Sequence, residues 1–219
     1  MFSQAEENYL KAIYALDIET KKGISTNLIA EKMQTKASSV TDMLQKLSDK
    51  RLVNYKKYQG VQLSAKGKKI ATSVIRKHRL WETFLVRKLN FSWDEVHDIA
   101  EQLEHIKSRE LMERLDQFLD YPNVDPHGDP IPDKDGIITK RSKVKLSALK
   151  ENEESILLSV KDSSVDFLKY LNKMKIAIGN TIKVLSIEPF DGSRQIEMNS
   201  RRFVISENVA ENLYLKNLS

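Results

Sequence analysis

Apolar residues recur at helical spacing through the first third of the chain. Tyr9, Leu10, Ile13, Tyr14 and Leu16 make one stripe over roughly residues 3–18, because positions three and four apart share a helix face. A polar Lys21-Lys22-Gly23 break follows, and Ser25 or Thr26 is placed to cap a second helix with Leu28, Ile29 and Met33 facing inward. Val40, Met43, Leu44 and Leu47 fall at i, i+3, i+4 and i+7 of a third helix starting near Ala37 and Ser38. Its opposite face is left free. From Leu52 to Leu63 the pattern predicts two short strands around a turn containing Gly60. A long helix is expected from Ser64 or Ala65 to about Leu89, with Ile70, Val74, Trp81, Phe84 and Leu85 among its apolar positions. Ser92 is placed as an N-cap, with Glu95 three residues on completing a capping box, and opens the helix that holds His97 to His105. A further short helix carries Leu111, Leu115, Phe118 and Leu119.

The texture then changes. Tyr121 to Gly136 holds four of the five prolines and two of the seven glycines, which predicts an ordered loop or linker. Lys140 to Lys145 reads as a basic connector. Ile156–Val160, Thr181–Ile187, Gln195–Met198 and Arg202–Ile205 read as strands, Val165–Leu171 as a short helix capped by Ser163 or Ser164. The expected class is mainly α with a small β domain of barrel type. Three divisions follow: residues 1–74, 75–139 and 140–219.

Helix–helix–helix–hairpin in about 60 residues is the pattern of a winged helix-turn-helix, whose third helix enters the major groove while the hairpin touches backbone or minor groove. Lys36, Ser38, Ser39, Thr41 and Asp42 stand on the free face of helix three, and Lys56, Lys57, Tyr58 and Gln59 on the hairpin. Short polar and basic side chains of this kind contact phosphates and base edges. Charge partition supports the same reading. Residues 1–74 carry 13 Lys/Arg against 7 Asp/Glu, and residues 36–69 carry nine against two. Such density predicts salt-sensitive affinity for DNA. Residues 75–136 reverse the balance, with 9 against 14, which suits cations; residues 137–219 return to 14 against 10. No stretch reaches the apolar length needed to span a bilayer, the polar N-terminus is not a signal peptide, and a cytoplasmic location is expected.

All four histidines lie in the acidic block or beside it. His78 precedes Glu82 by four residues; His97, Glu101, Glu104 and His105 run at i, i+4, i+7 and i+8; His127 follows Asp125 by two. The second group covers only about 100° of a helix surface. Imidazole with carboxylate suits divalent ions of the Mn, Fe, Co, Ni and Zn series, and with no cysteine in the chain no thiolate can bias the choice. For His78 with Glu82 alone, a surface ion pair is the simpler reading. A catalytic metal would need an open position, a base and a cleft. The helix has no His-Glu-x-x-His arrangement, and neither a nucleophilic serine nor a Gly-rich phosphate loop stands out. An enzyme is therefore not expected. A metal-dependent hydrolase and a metal-independent winged-helix regulator are the alternatives.

These blocks resemble the diphtheria toxin repressor family (DtxR/MntR) of metal-dependent transcriptional repressors over nearly the whole chain. The resemblance rests on Glu7 to Tyr14, Ser38 to Met43, Arg76 to Leu80, Val96-His97-Asp98, Glu104-His105 and Asp125 to Pro132. The terminal β domain looks like the SH3-like (FeoA-type) domain of the longer members. The resemblance implies a cytoplasmic homodimer that binds palindromic operator DNA when loaded with Mn²⁺ or Fe²⁺ and represses metal-uptake genes, with two metal sites per chain. Asn8, Glu101, Glu104 and His105 match ligands of the family's regulatory site. His78 and Glu82 match its second site, to which His97 also belongs in some members and which Asp125 and His127 complete in the three-domain manganese-responsive branch; Asp162 or Asp166 stands near the position of the family's further ligand from the β domain. Glu101 stands where iron-responsive members carry cysteine, which favours manganese. Asn8 departs from the aspartate usual in manganese members and the methionine usual in iron members.

Overall fold

In a computed structural model, described over residues 2–20, 23–56, 60–139 and 141–217, the expected helices α1 (Gln4–Thr20), α2 (Thr26–Lys32) and α3 (Ala37–Asp49) are followed by the hairpin β1 (Val53–Lys56) and β2 (Gly60–Leu63). The Lys21-Lys22 break and hairpin residues 57–59 lie outside the described residues. Ser25 caps α2, its side chain accepting from the Leu28 N–H, which satisfies a donor that the first helical turn leaves open. Leu10, Ile13, Ile24, Ile29, Val40, Leu44, Leu47 and Leu52 are fully buried together. Truncating one such leucine to alanine costs about 2–5 kcal/mol. An antiparallel bridge between Ile24 and Val61 ties the α1–α2 connection to the wing. Gly60 sits at that crossing with φ +89, where a Cβ would stand 2.9 Å from the Ile24 carbonyl oxygen. Only glycine fits both the conformation and the approach.

The long helix is α4 (Ala65–Leu89), and α5 (His97–Leu103) and α6 (Arg109–Phe118) follow. Helix α5 is shorter than the periodicity predicts at both ends. Residues 93–95 form a turn in which the Glu95 carboxylate accepts from the Ser92 N–H (2.9 Å), so the capping box closes a turn before the helix. Beyond Leu103 only the Glu104 N–H continues the ladder, to the Ala100 carbonyl. Trp81 and Leu85 are buried within the chain itself, so their apolar surface serves its own core.

The C-terminal part is a six-stranded antiparallel sheet in the order β3-β8-β4-β5-β6-β7. Its strands are β3 (Lys143–Lys145), β4 (Glu154–Val160), β5 (Thr181–Ile187), β6 (Arg194–Met198), β7 (Arg201–Ile205) and β8 (Leu213–Lys216), with α7 (Val165–Met174) and the short α8 (Glu207–Glu211) between them. The expected basic connector thus contains an edge strand: Lys143, Val144 and Lys145 pair with β8. Register shifts in β4 and β5 mark bulges, which bend a strand and increase its twist. Leu146, Leu157, Leu168, Leu171, Ile182, Val184, Ile196, Leu213 and Leu215 fill the core.

Two compact units result. One comprises Met1–Trp81, Ala100–Phe118 and Ile131–Ile138; the other comprises Glu82–Ile99, Leu119–Pro130 and Thr139–Ser219. Their limits differ from the three divisions drawn on the sequence, because the acidic block contributes segments to both.

Candidate metal centres and nucleic-acid interface

In the first unit, Glu101 on α5 and Glu104 just past its end meet the face of α1 that carries Glu7, Asn8 and Lys11. Glu104 is fully buried. The Lys11 ammonium donates to both its oxygens, at 2.7 and 2.9 Å, and to Glu101 Oε1 at 3.0 Å. His78 Nδ1 lies 2.6 Å from Glu104 Oε2. His78, expected beside Glu82, therefore engages Glu104 as well as standing one turn before Glu82 on α4. His105 Nδ1 lies 2.6 Å from Glu7 Oε2, and its Nε2 is 3.7 Å from Glu104 Oε1. The Glu7 carboxylate can only accept, so it fixes the proton on Nδ1 and leaves the Nε2 lone pair open to a cation, as carboxylates behind metal-binding imidazoles do. The Asn8 side-chain oxygen is buried with no hydrogen-bond partner. A buried acceptor left open costs about 1–3 kcal/mol, and a cation is one partner that would satisfy it.

In the second unit, Glu82, Asp125 and His127 offer ligand atoms within 4.8 Å of one another, all three buried. Exposed His97 brings its Nδ1 to 3.6 Å from Glu82 Oε1. Asp125 Oδ1 accepts from the N–H groups of His127 (2.8 Å) and Asp129 (3.0 Å), closing the loop upon itself. His127 Nε2 donates to the Trp93 carbonyl at 2.9 Å, while Nδ1 faces Glu82 Oε2 at 3.6 Å and Asp125 Oδ1 at 3.9 Å. Burial alone would depress this imidazole, but hydrogen bonding to Glu82 and the charges of Glu82 and Asp125 outweigh it and push the pKa up to about 9. Nδ1 thus faces an environment built for positive charge.

The β domain holds this loop. The Val160 N–H donates to the His127 carbonyl. Gly128, at φ +84, lies so close to β4 that a Cβ would stand 1.9 Å from the Leu158 carbonyl oxygen. Trp93 packs on the β core and donates its indole N–H to Asn172 on α7 (2.7 Å), and its ring stacks on His127.

The first donor set combines carboxylate, imidazole and amide groups and the second carboxylate and imidazole, both of which fit a borderline-to-hard divalent ion. Glu7 and Lys11 were not among the residues singled out by spacing. Their only sequence signal is their i, i+4 placement astride Asn8. Asp162 spends Oδ1 on the Ser164 N–H at the start of α7.

On the DNA-reading side, Lys36, Ser38, Ser39 and Asp42 are exposed around the start of α3, and Lys56 is exposed on β1. Thr41 is half-buried and donates its hydroxyl to the Ala37 carbonyl at 3.0 Å. Lys57 and Tyr58 lie outside the described residues.

Three family descriptions match in succession: iron dependent repressor, N-terminal DNA binding domain, over residues 1–61; iron dependent repressor, metal binding and dimerisation domain, over 64–133; and FeoA domain, over 144–217. The chain is 33% identical over 126 residues to the iron-dependent repressor IdeR of Mycobacterium leprae strain TN, a stretch covering 58% of this chain and 54% of that protein. It is 36% identical over 115 residues to the HTH-type transcriptional regulator MntR of Oceanobacillus iheyensis, covering 52% and 77%. The chain therefore spans about half the length of the mycobacterial relative. Among solved structures, a manganese-dependent transcriptional repressor in complex with manganese superposes with TM-score 0.86 at 32% identity, covering 97% of this chain and all of the other. The manganese regulator SloR superposes at 0.74 with 38% identity, covering 96% and 97%. With its winged helix, its carboxylate–imidazole clusters and its sheet domain matched in order, the chain belongs to the diphtheria toxin repressor family (DtxR/MntR) of metal-dependent transcriptional repressors.

Proposed function

We propose that the protein is a homodimeric repressor that binds a palindromic operator upstream of metal-uptake genes when loaded with Mn²⁺, with Fe²⁺ as the second choice. The buried, partnerless Asn8 oxygen carries this reading, on the helix whose Glu7 reaches His105 and whose Lys11 reaches Glu101 and Glu104. Asn8, Glu101, Glu104 and His105 would hold a regulatory ion, and Glu82, Asp125 and His127, with His97 and His78, a second one. The divalent cation supplies positive charge that offsets clustered carboxylates. Asn8 belongs to the DNA-reading block and the other three to the acidic block, so these residues together join α1 to α5. A preference of about 1–3 kcal/mol for the DNA-competent arrangement changes operator affinity roughly 5–150-fold.

Manganese is supported by Glu101, a hard oxygen donor, and by relatives whose names describe manganese dependence. The match to a metal binding and dimerisation domain supports the dimer. Among the described residues no helix is long and apolar enough to cross a membrane, and a cytoplasmic site of action is part of the proposal. So is the division into a reading head (1–74), a metal and dimerisation part (75–139) and a terminal domain (140–219).

The test is titration of chelator-treated protein with Mn²⁺ and, anaerobically, Fe²⁺, each followed by binding to DNA upstream of metal-transport genes. Binding should appear with one ion and vanish on chelation. Glu104→Ala and His105→Ala should abolish this gain while leaving the circular dichroism spectrum intact. Undiminished metal activation in both variants would remove Glu104 and His105 from the regulatory site.

A further inference from the structure

Lys11 takes the carboxylate oxygens that a divalent ion would take. Its ammonium lies 2.7 and 2.9 Å from the two oxygens of Glu104 and 3.0 Å from Glu101. Glu104 has no exposed surface, and a buried carboxylate requires a counter-charge. Lys11 provides it from α1, the helix that also carries Asn8. An ammonium and a divalent metal drawn to the same oxygens carry like charge at short range, so each weakens the hold of the other. If Lys11 stayed beside a bound ion, it would repel it.

We propose that Lys11 is a tethered rival of the regulatory metal: it sets the free-metal concentration at which the site loads, and it keeps α1 joined to the acidic block when no divalent ion is bound. Activation is then an exchange of one cation for another on Glu101 and Glu104. Glu104 is never left buried without a partner, so loss of metal does not expose the fold to an uncompensated charge. The lysine tether has fixed length and one charge, whereas the metal also recruits Asn8 and His105. The two cations therefore hold the same helices by different sets of atoms, which gives the exchange a structural readout. This inference rests on the regulatory site being the one formed by Glu101, Glu104 and His105.

The experiment uses full-length protein and Mn²⁺ as the probe, with affinity read by competition against a fluorescent chelator. Lys11→Met should bind Mn²⁺ at least about tenfold more tightly than wild type, a change of about 1.4 kcal/mol. Lys11→Arg, which keeps the charge, should stay close to wild type. Chelator-treated Lys11→Met should melt at a lower temperature than wild type and gain more on adding Mn²⁺. Unchanged or weaker binding by a folded Lys11→Met overturns the proposal. A second measurement needs no substitution: acetylation of wild-type Lys11, read by mass spectrometry, should be slow in chelator and faster at saturating Mn²⁺. Equal labelling under the two conditions overturns the exchange. Glu104→Gln separates the two readings: if it binds as many Mn²⁺ ions as wild type does, the site itself is misassigned; if it loses one ion and keeps the other while Lys11→Met gains no affinity, only the rivalry fails.

Discussion

Glu6 and His127 are both buried, and their neighbours drive their titration in opposite directions. Burial would raise Glu6, yet hydrogen bonds from Lys50, the Ser3 N–H and Lys46 hold its pKa at about 2. A carboxyl group depressed in the folded state adds stability above its ordinary value of 4.5, and that stability is lost as pH falls toward 2. Glu6→Gln should therefore lower stability near pH 7 by about 1–3 kcal/mol, since hydrogen bonds to a charged group are at stake. In denaturant titrations the gap from wild type should close between pH 4.5 and 2. His127 runs the other way. Its raised pKa adds stability that is complete below 6.5 and disappears as pH rises through about 9. A proton and a metal compete for the same Nδ1. Mn²⁺ affinity at the Glu82–Asp125–His127 group should therefore rise about tenfold per pH unit below 9 and level off above it. Calorimetric titration of a Glu104→Gln background isolates that group; a flat profile would show that His127 is not a ligand.

At the scale of elements, α3 was legible because its stripe of Val40, Leu44 and Leu47 is packed on one side only, whereas α1 and α4, buried on more than one face, were legible from apolar residues recurring at helical spacing. Strand β3 was not: three residues with a lysine at each end look like a connector, and only pairing with distant β8 makes them a strand. The same limit applies to the candidate site. Histidine–carboxylate spacing marks ligands that share a helix, but Glu7 and Lys11 reach theirs across more than ninety residues of chain. Two elements yield tests. Lys36 is exposed at the start of α3, so Lys36→Ala should weaken binding to operator and to unrelated DNA by a similar factor, as a phosphate contact does and a base contact does not. Gly128→Ala should push the loop from β4, because the new methyl meets the Leu158 carbonyl and φ is positive. Second-site Mn²⁺ binding should fall while the regulatory site is unaffected, a split that separate titrations at pH 8 can read.

Across the whole molecule, the segments that carry Glu82, His97, Asp125 and His127 belong with the sheet domain rather than with the reading head. Residues 1–139 contain Asn8, Glu101, Glu104 and His105 of the regulatory site and Glu82, His97, Asp125 and His127 of the second. Yet a fragment ending there lacks Asn172 under the Trp93 indole, the Val160 N–H on the His127 carbonyl, and the strand against Gly128. Such a fragment should keep regulatory-site binding and lose at least about tenfold in affinity at the second site, the effect typical of removing the support behind metal ligands. Equal affinity in fragment and full chain would show that the loop holds its own shape.

The absence of sulfur from both donor sets reaches beyond metal choice. Peroxide inactivates a thiolate site by carrying its ligand through sulfenic to sulfinic and sulfonic acid, the later steps irreversibly. Carboxylate, imidazole and amide ligands have no such ladder. A site built from them is not lost by that route, so peroxide treatment that spares the rest of the fold should leave Mn²⁺ affinity unchanged.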